Sequence, residues 1–84
     1  MPLAALRSAV AERSLVVGVI GLGYVGLPAA CVLAAAGFKV RGVDIDAARV
    51  ATINSGRSPI EGDEPGLAEL VGRMVASGHL LTGI

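Results

Sequence analysis

The chain has 84 residues, 54% of them hydrophobic, and its seven basic and seven acidic residues leave no formal net charge. A domain this short buries about 60% of the surface its unfolded chain exposes, which allows one small core and excludes a catalytic cleft between two domains. Balanced charge without a Lys or Arg run gives no electrostatic footprint for nucleic acid or for an anionic membrane surface, so neither is expected as a partner. The single cysteine, Cys31, forms neither an internal disulfide nor a four-ligand zinc site, and without a secretory signal the expected compartment is the reducing cytoplasm.

Residues 3–13 place Leu3, Leu6 and Val10 at helical spacing with Arg7, Glu12 and Arg13 elsewhere, which predicts a short amphipathic lead-in helix within residues 1–14. The following 25 positions, 14–38, carry no charge, and a hydropathy window reads them as a membrane span. Gly18, Gly21, Gly23, Gly26, Gly37 and Pro28 argue against that reading, because Gly costs about 1 kcal/mol and Pro about 3 in a helix interior. The β-branched run of residues 15–20 instead predicts a strand buried on both faces, of the kind found in parallel sheets.

From Tyr24 to Ala36 the composition turns to Leu, Ala, Cys and Val, a helix with Pro28 near its first turn and Gly37 closing it. Residues 39–44 predict a second strand ending on Asp44. Asp46 then caps a helix over roughly 47–55 with Val50 and Ile53 inward, and Arg57 to Glu64 reads as a loop. Pro65 is expected to open a helix carrying Leu67, Leu70, Val71 and Met74 and closing near Gly78, before a third strand over residues 80–84. The β-α-β-α-α-β order over residues 15–84 predicts the first half of a Rossmann-type doubly wound parallel sheet.

Gly21-Leu22-Gly23-Tyr24-Val25-Gly26 fits GxGxxG, a weak signal in a chain with 12 glycines until its context is added. It leaves a predicted strand, opens a predicted helix and is followed 18 residues later by Asp44 at the end of the next strand. In such a loop Gly21 permits the tight turn, Gly23 lets backbone approach a pyrophosphate, and Gly26 lets helix and strand pack closely. N–H groups at the helix start and the helix dipole then hold the diphosphate without a cationic side chain. Asp44 accepts hydrogen bonds from the adenosine ribose hydroxyls and repels a 2′-phosphate, which predicts NAD over NADP as cofactor. Arg49 has three readings: it flanks the adenosine, pairs with Asp46, or receives a 2′-phosphate.

The other reactive side chains read as structural. Cys31 has no neighbouring His or Lys to activate it and reads as a packed core residue. His79 is expected as a solvated surface residue. Glu61, Asp63 and Glu64 read as a solvated loop without a metal, and Ser58 and Thr82 have no triad partners, so the chain contains no catalytic residue.

Four ordered blocks, residues 19–28, 42–46, 53–59 and 64–67, resemble the N-terminus of the UDP-glucose/GDP-mannose dehydrogenase family. The resemblance implies the NAD-binding part of a nucleotide-sugar 6-dehydrogenase, which oxidises the C6 alcohol of a UDP-sugar to a carboxylate with two NAD for polysaccharide synthesis. It places the family's cofactor-binding residues on Gly21, Leu22, Gly23, Tyr24, Val25, Gly26, Asp44 and Arg49. It also implies a homo-oligomeric parent whose catalytic cysteine and lysine lie beyond this chain; Cys31 does not match that cysteine. Residues 70–82 are most similar to the UDP-N-acetylmannosamine members, with the UDP-glucose members close behind. The sequence departs from the family pattern at Gly62-Asp63, an extension relative to compact members, and at Thr82-Gly83-Ile84. Two other readings are a stand-alone or degenerate NAD-binding module and a hydroxyacid-type dehydrogenase, of which the latter is not expected to carry Glu64-Pro65-Gly66-Leu67.

Overall fold

The computed structural model describes residues 3–12, 14–60 and 66–84. Its elements are α1 (Leu3–Ala11), β1 (Val16–Ile20), α2 (Gly26–Ala35), β2 (Lys39–Val43), α3 (Ala47–Asn54), α4 (Leu67–Ala76) and β3 (Leu80–Gly83). The three strands form one parallel sheet in the order β1-β2-β3, with Val17 opposite Val40 and Val40 opposite Leu80. No described helix is long and apolar enough to cross a membrane. The glycines break the uncharged stretch into strand, turn and a ten-residue helix, with Pro28 accommodated in that helix's first turn.

Strand periodicity assigns Val17, Val40 and Leu80 to one row on one face, with Val19, Gly42 and Thr82 in the next. Helices α2 and α4 close over this face, where Leu27, Ala30, Cys31, Ala34, Ile53, Leu67 and Val71 complete the core. Each of the Leu, Ile and Val side chains among them contributes about 1.5–3 kcal/mol when fully buried. α3 lies beside β3, where Asn54 Nδ2 donates to the Thr82 carbonyl at 3.2 Å.

The expectation that β1 is buried on both faces is not met, because its positions alternate between exposed and half-buried and Ile20 is 91% exposed. Both crossovers, β1 to β2 and β2 to β3, step the same way along the sheet. Right-handed connections therefore place their helices on the same side. The opposite face, carrying Val16, Ile20, Val43 and Leu81, is open to solvent in this chain.

Helix ends follow local chemistry. Asp46 caps α3 as expected, its Oδ1 accepting from the Arg49 N–H at 3.1 Å. Ala36 is the C-cap of α2, and Gly37 follows it at φ 104°. α4 starts at Leu67 behind Gly66, which has φ 81°. Pro65, expected to open that helix, lies outside the described residues, as do Glu61, Gly62, Asp63 and Glu64. Val50, Ile53, Leu67 and Val71 are buried, and Leu70 and Met74 pack against the core, as the helical spacing requires. The lead-in helix α1 forms, but Leu3, Leu6 and Val10 are all exposed.

Candidate cofactor site

The loop between β1 and α2 sits at the C-terminal edge of the sheet, beside the end of β2. Gly21 extends the parallel ladder by donating its N–H to the Val43 carbonyl at 2.8 Å. It then turns the chain at φ 85°, a left-handed conformation that an L side chain resists. Gly26 marks the closest backbone approach: a Cβ there would lie 1.7 Å from the Gly21 carbonyl oxygen. A Cβ on Gly23, by contrast, would meet nothing within 4 Å, so this position faces open space. Tyr24 and Val25 also project outward, at 76% and 83% exposure.

Among the described residues, the N–H groups of Gly23, Tyr24, Val25 and Gly26 have no partner within the chain, whereas Leu27 N–H already donates to the Gly23 carbonyl at 3.1 Å. Four free donors at the start of a ten-residue helix are what an anion site requires, and the helix dipole would add its positive end to one.

Leu22 differs from its neighbours in the loop. Its side chain is fully buried over β2 and packs on Gly42, where a Cβ would lie 2.7 Å from Leu22 Cδ2 and oblige the leucine to shift. Its N–H is spent internally, donating to Asp44 Oδ2 at 2.8 Å. Sequence reasoning missed this pairing of Leu22 with Gly42, and an apolar residue between two motif glycines, facing a glycine in the next strand, was the available signal.

Asp44 is the buried polar residue of the core region. Its Oδ2 accepts from Leu22 N–H and from Arg49 Nη1 at 3.0 Å, and its Oδ1 accepts from Asp46 N–H at 2.8 Å. The Leu22 N–H, followed by the Asp46 N–H and the Arg49 guanidinium, pulls the carboxyl from its ordinary 3.8 down to about 2. Of the three readings of Arg49, pairing with Asp46 is corrected. Asp46 accepts the Arg49 backbone N–H as a helix cap, and the guanidinium reaches back to Asp44. Ile20, Gly21, Val43, Asp44 and Ile45 line a shallow depression on this edge.

The remaining reactive side chains stand apart from this edge. Cys31 is buried in the core, and burial pushes its thiol pKa up. His79 is half-buried rather than fully solvated, with its Nδ1 2.9 Å from Ser77 Oγ. Ser58 Oγ accepts from the Ile60 N–H, and Thr82 Oγ1 donates to Asn54 Oδ1. No metal-ligating cluster exists among the described residues.

The arrangement defines a class: a strand–glycine loop–helix unit with free N–H groups, and an acidic residue ending the next strand, is the dinucleotide-binding half of a Rossmann fold. Residues 15–83 match the NAD-binding domain of the UDP-glucose/GDP-mannose dehydrogenase family, and the chain belongs to that family. It is 51% identical over 63 residues to a UDP-N-acetyl-D-mannosamine dehydrogenase of Methanococcus aeolicus, an alignment covering 75% of this chain and 14% of that protein. It is 48% identical over 64 residues to a GDP-mannose 6-dehydrogenase of Azotobacter vinelandii, covering 76% and 14%. The solved UDP-N-acetyl-mannosamine dehydrogenase of Staphylococcus aureus superposes with a TM-score of 0.77 at 38% identity, covering 82% of this chain and 16% of that one. The chain thus spans about one seventh of the length of the curated relatives it matches.

The residues present fit NAD. Gly23 offers the approach, the four N–H groups offer the diphosphate donors, and Asp44 offers an ionised acceptor for ribose hydroxyls. When bound, the nicotinamide ring supplies the hydride acceptor. These residues would hold and orient its adenosine-diphosphate half.

Proposed function

We propose that this chain forms the cofactor-binding portion of an NAD-dependent nucleotide-sugar 6-dehydrogenase, in which the glycine loop and Asp44 hold NAD while a sugar C6 alcohol is oxidised to a carboxylate. The observation that carries the reading is the bond from Leu22 N–H to Asp44 Oδ2 at 2.8 Å. It ties the glycine loop to the carboxylate assigned to the ribose, so one hydrogen bond joins the two proposed anchoring points of the cofactor. Oxidation of an alcohol to a carboxylate removes four electrons and therefore consumes two NAD.

The relatives named for UDP-N-acetylmannosamine and for GDP-mannose are of nearly equal similarity, so the substrate class is a nucleotide sugar with either base. Within that class we place a UDP-sugar first, either a UDP-N-acetylhexosamine or UDP-glucose, on the resemblance of residues 70–82. The product is then a UDP-uronic acid for polysaccharide assembly, made in the cytoplasm by a homo-oligomer whose reacting cysteine and lysine stand outside these 84 residues. The test is the NADH formed per sugar when the full-length protein receives NAD with UDP-N-acetylmannosamine, UDP-N-acetylglucosamine, UDP-glucose and GDP-mannose in turn. Two NADH per sugar on one substrate supports the reading. One NADH indicates an ordinary alcohol dehydrogenase, and none indicates a binding module.

A further inference from the structure

Asp44 and Arg49 form a pair whose geometry bears on which nicotinamide cofactor the site accepts. Arg49 Nη1 lies 3.0 Å from Asp44 Oδ2, and the two side chains are 37% and 5% exposed. The carboxylate is thus buried and held by three donors, while the guanidinium is the more exposed of the two and is held by this one charged partner. An ionised carboxylate has about four acceptor positions. Three are filled here by protein donors, the N–H groups of Leu22 and Asp46 and the Arg49 guanidinium. A ribose that offers both of its hydroxyls needs two positions. The backbone donors belong to the loop and the helix cap, so Arg49 is the donor that can yield.

The same distance puts a cation one hydrogen bond from the carboxylate proposed to take the ribose hydroxyls. Asp44 Oδ2 already accepts from Leu22 N–H and Arg49 Nη1 and Oδ1 only from Asp46 N–H, so a ribose hydroxyl would take the open position on Oδ1 or the one that Arg49 vacates. Among the described residues, Arg49 is the only cationic side chain in contact with Asp44. A phosphate esterified to the ribose 2′-oxygen would meet a carboxylate and a guanidinium together, and the carboxylate already neutralises that guanidinium.

Resting on the reading of this edge as an NAD site, we propose that Arg49 is a masked 2′-phosphate receptor, and that the preference for NAD over NADP is set by the Asp44–Arg49 pair rather than by Asp44 alone. Removing the carboxylate then does more than remove repulsion: it releases a planar guanidinium, the side chain best suited to bidentate phosphate binding.

The test is equilibrium binding of NAD and NADP, by calorimetry at low and moderate salt, to the wild-type protein and to Asp44→Ser, Asp44→Ser/Arg49→Ala and Asp44→Ser/Arg49→Lys. The expected result is that Asp44→Ser shifts the NADP-to-NAD affinity ratio towards NADP by about ten-fold or more, the scale of one charge-assisted contact. The shift shrinks with added salt, vanishes in the Arg49→Ala background and returns in part with Lys. Should Asp44→Ser fail to fold, Asp44→Asn, which keeps an acceptor oxygen for the backbone donors, replaces it in the same series. A shift towards NADP that is equally large without Arg49, or no shift in any variant of a wild type that binds NAD, overturns the inference alone. A wild type that binds neither cofactor overturns the reading of the site beneath it.

Discussion

Replacing Gly26 with Ala separates the structural demand of the glycine loop from its binding demand. The new Cβ would lie 1.7 Å from the Gly21 carbonyl oxygen and 2.9 Å from its carbon. Favourable contact between heavy atoms begins near 3.5 Å, so the start of α2 and the Gly21 turn must part by roughly 1.5–2 Å. Both are backbone, and neither can rotate away. Moving α2 outward opens the packing of Leu27, Ala30 and Cys31, all fully buried. Overpacking of this kind costs about 1–3 kcal/mol, and backbone against backbone belongs at the upper end. Helix propensity alone favours Ala over Gly by up to about 1 kcal/mol, so any net loss is a lower bound on the clash. In a domain of this size each kcal/mol lowers Tm by about 4–8 °C, which predicts a fall of roughly 10 °C or more by circular dichroism. Gly23→Ala is the companion variant. Its Cβ meets nothing within the protein, so Tm stays close to wild type while NAD affinity falls. A Gly26→Ala protein as stable as wild type, or a Gly23→Ala protein with unaltered NAD affinity, would refute this reasoning.

Asp44→Asn is expected to weaken NAD binding, relax discrimination against NADP and destabilise the fold by about 1–3 kcal/mol. It turns an amide NH2 towards one of three protein donors; unchanged urea midpoint and affinities would contradict it. Because the Asp44 carboxyl titrates near 2 rather than 3.8, its contribution to stability is fully present above about pH 4 and is lost as pH falls through about 2. Carbon-13 NMR of the carboxyl should show that midpoint, and acid unfolding should begin earlier in the Asn variant. Cys31 should resist thiol reagents until the protein unfolds, since it is buried and its thiolate is disfavoured. Reaction at the rate of a free thiol in the folded protein would place it outside the core.

The elements that build the site were legible because their signals are local. A β-branched run ending on Gly21, a helix read from Tyr24 and observed from Gly26, and Asp44 18 residues after Gly26 lie within one β-α-β unit. The one-sided burial of β1 was not legible: Val16, Val17, Val19 and Ile20 are apolar on both faces, so the pattern cannot say which face a helix covers. The partner of Arg49 was hidden for a different reason. Asp46 stands three residues before it and Asp44 five, and only the cap shows that Asp46 is already taken by the Arg49 N–H. Leu22 occupies a variable position of the motif, where sequence assigns loop and the structure assigns core.

The central claim, that the 21–26 loop and the end of β2 together hold the adenosine diphosphate of NAD, is tested most directly by titrating NAD into the nitrogen-15-labelled protein and following its amide resonances. The account predicts saturable shifts that are largest at Gly23, Tyr24, Val25 and Gly26, accompanied by Ile45 and the Arg49 side chain. Saturable shifts confined to another surface, or none at millimolar NAD, would contradict it.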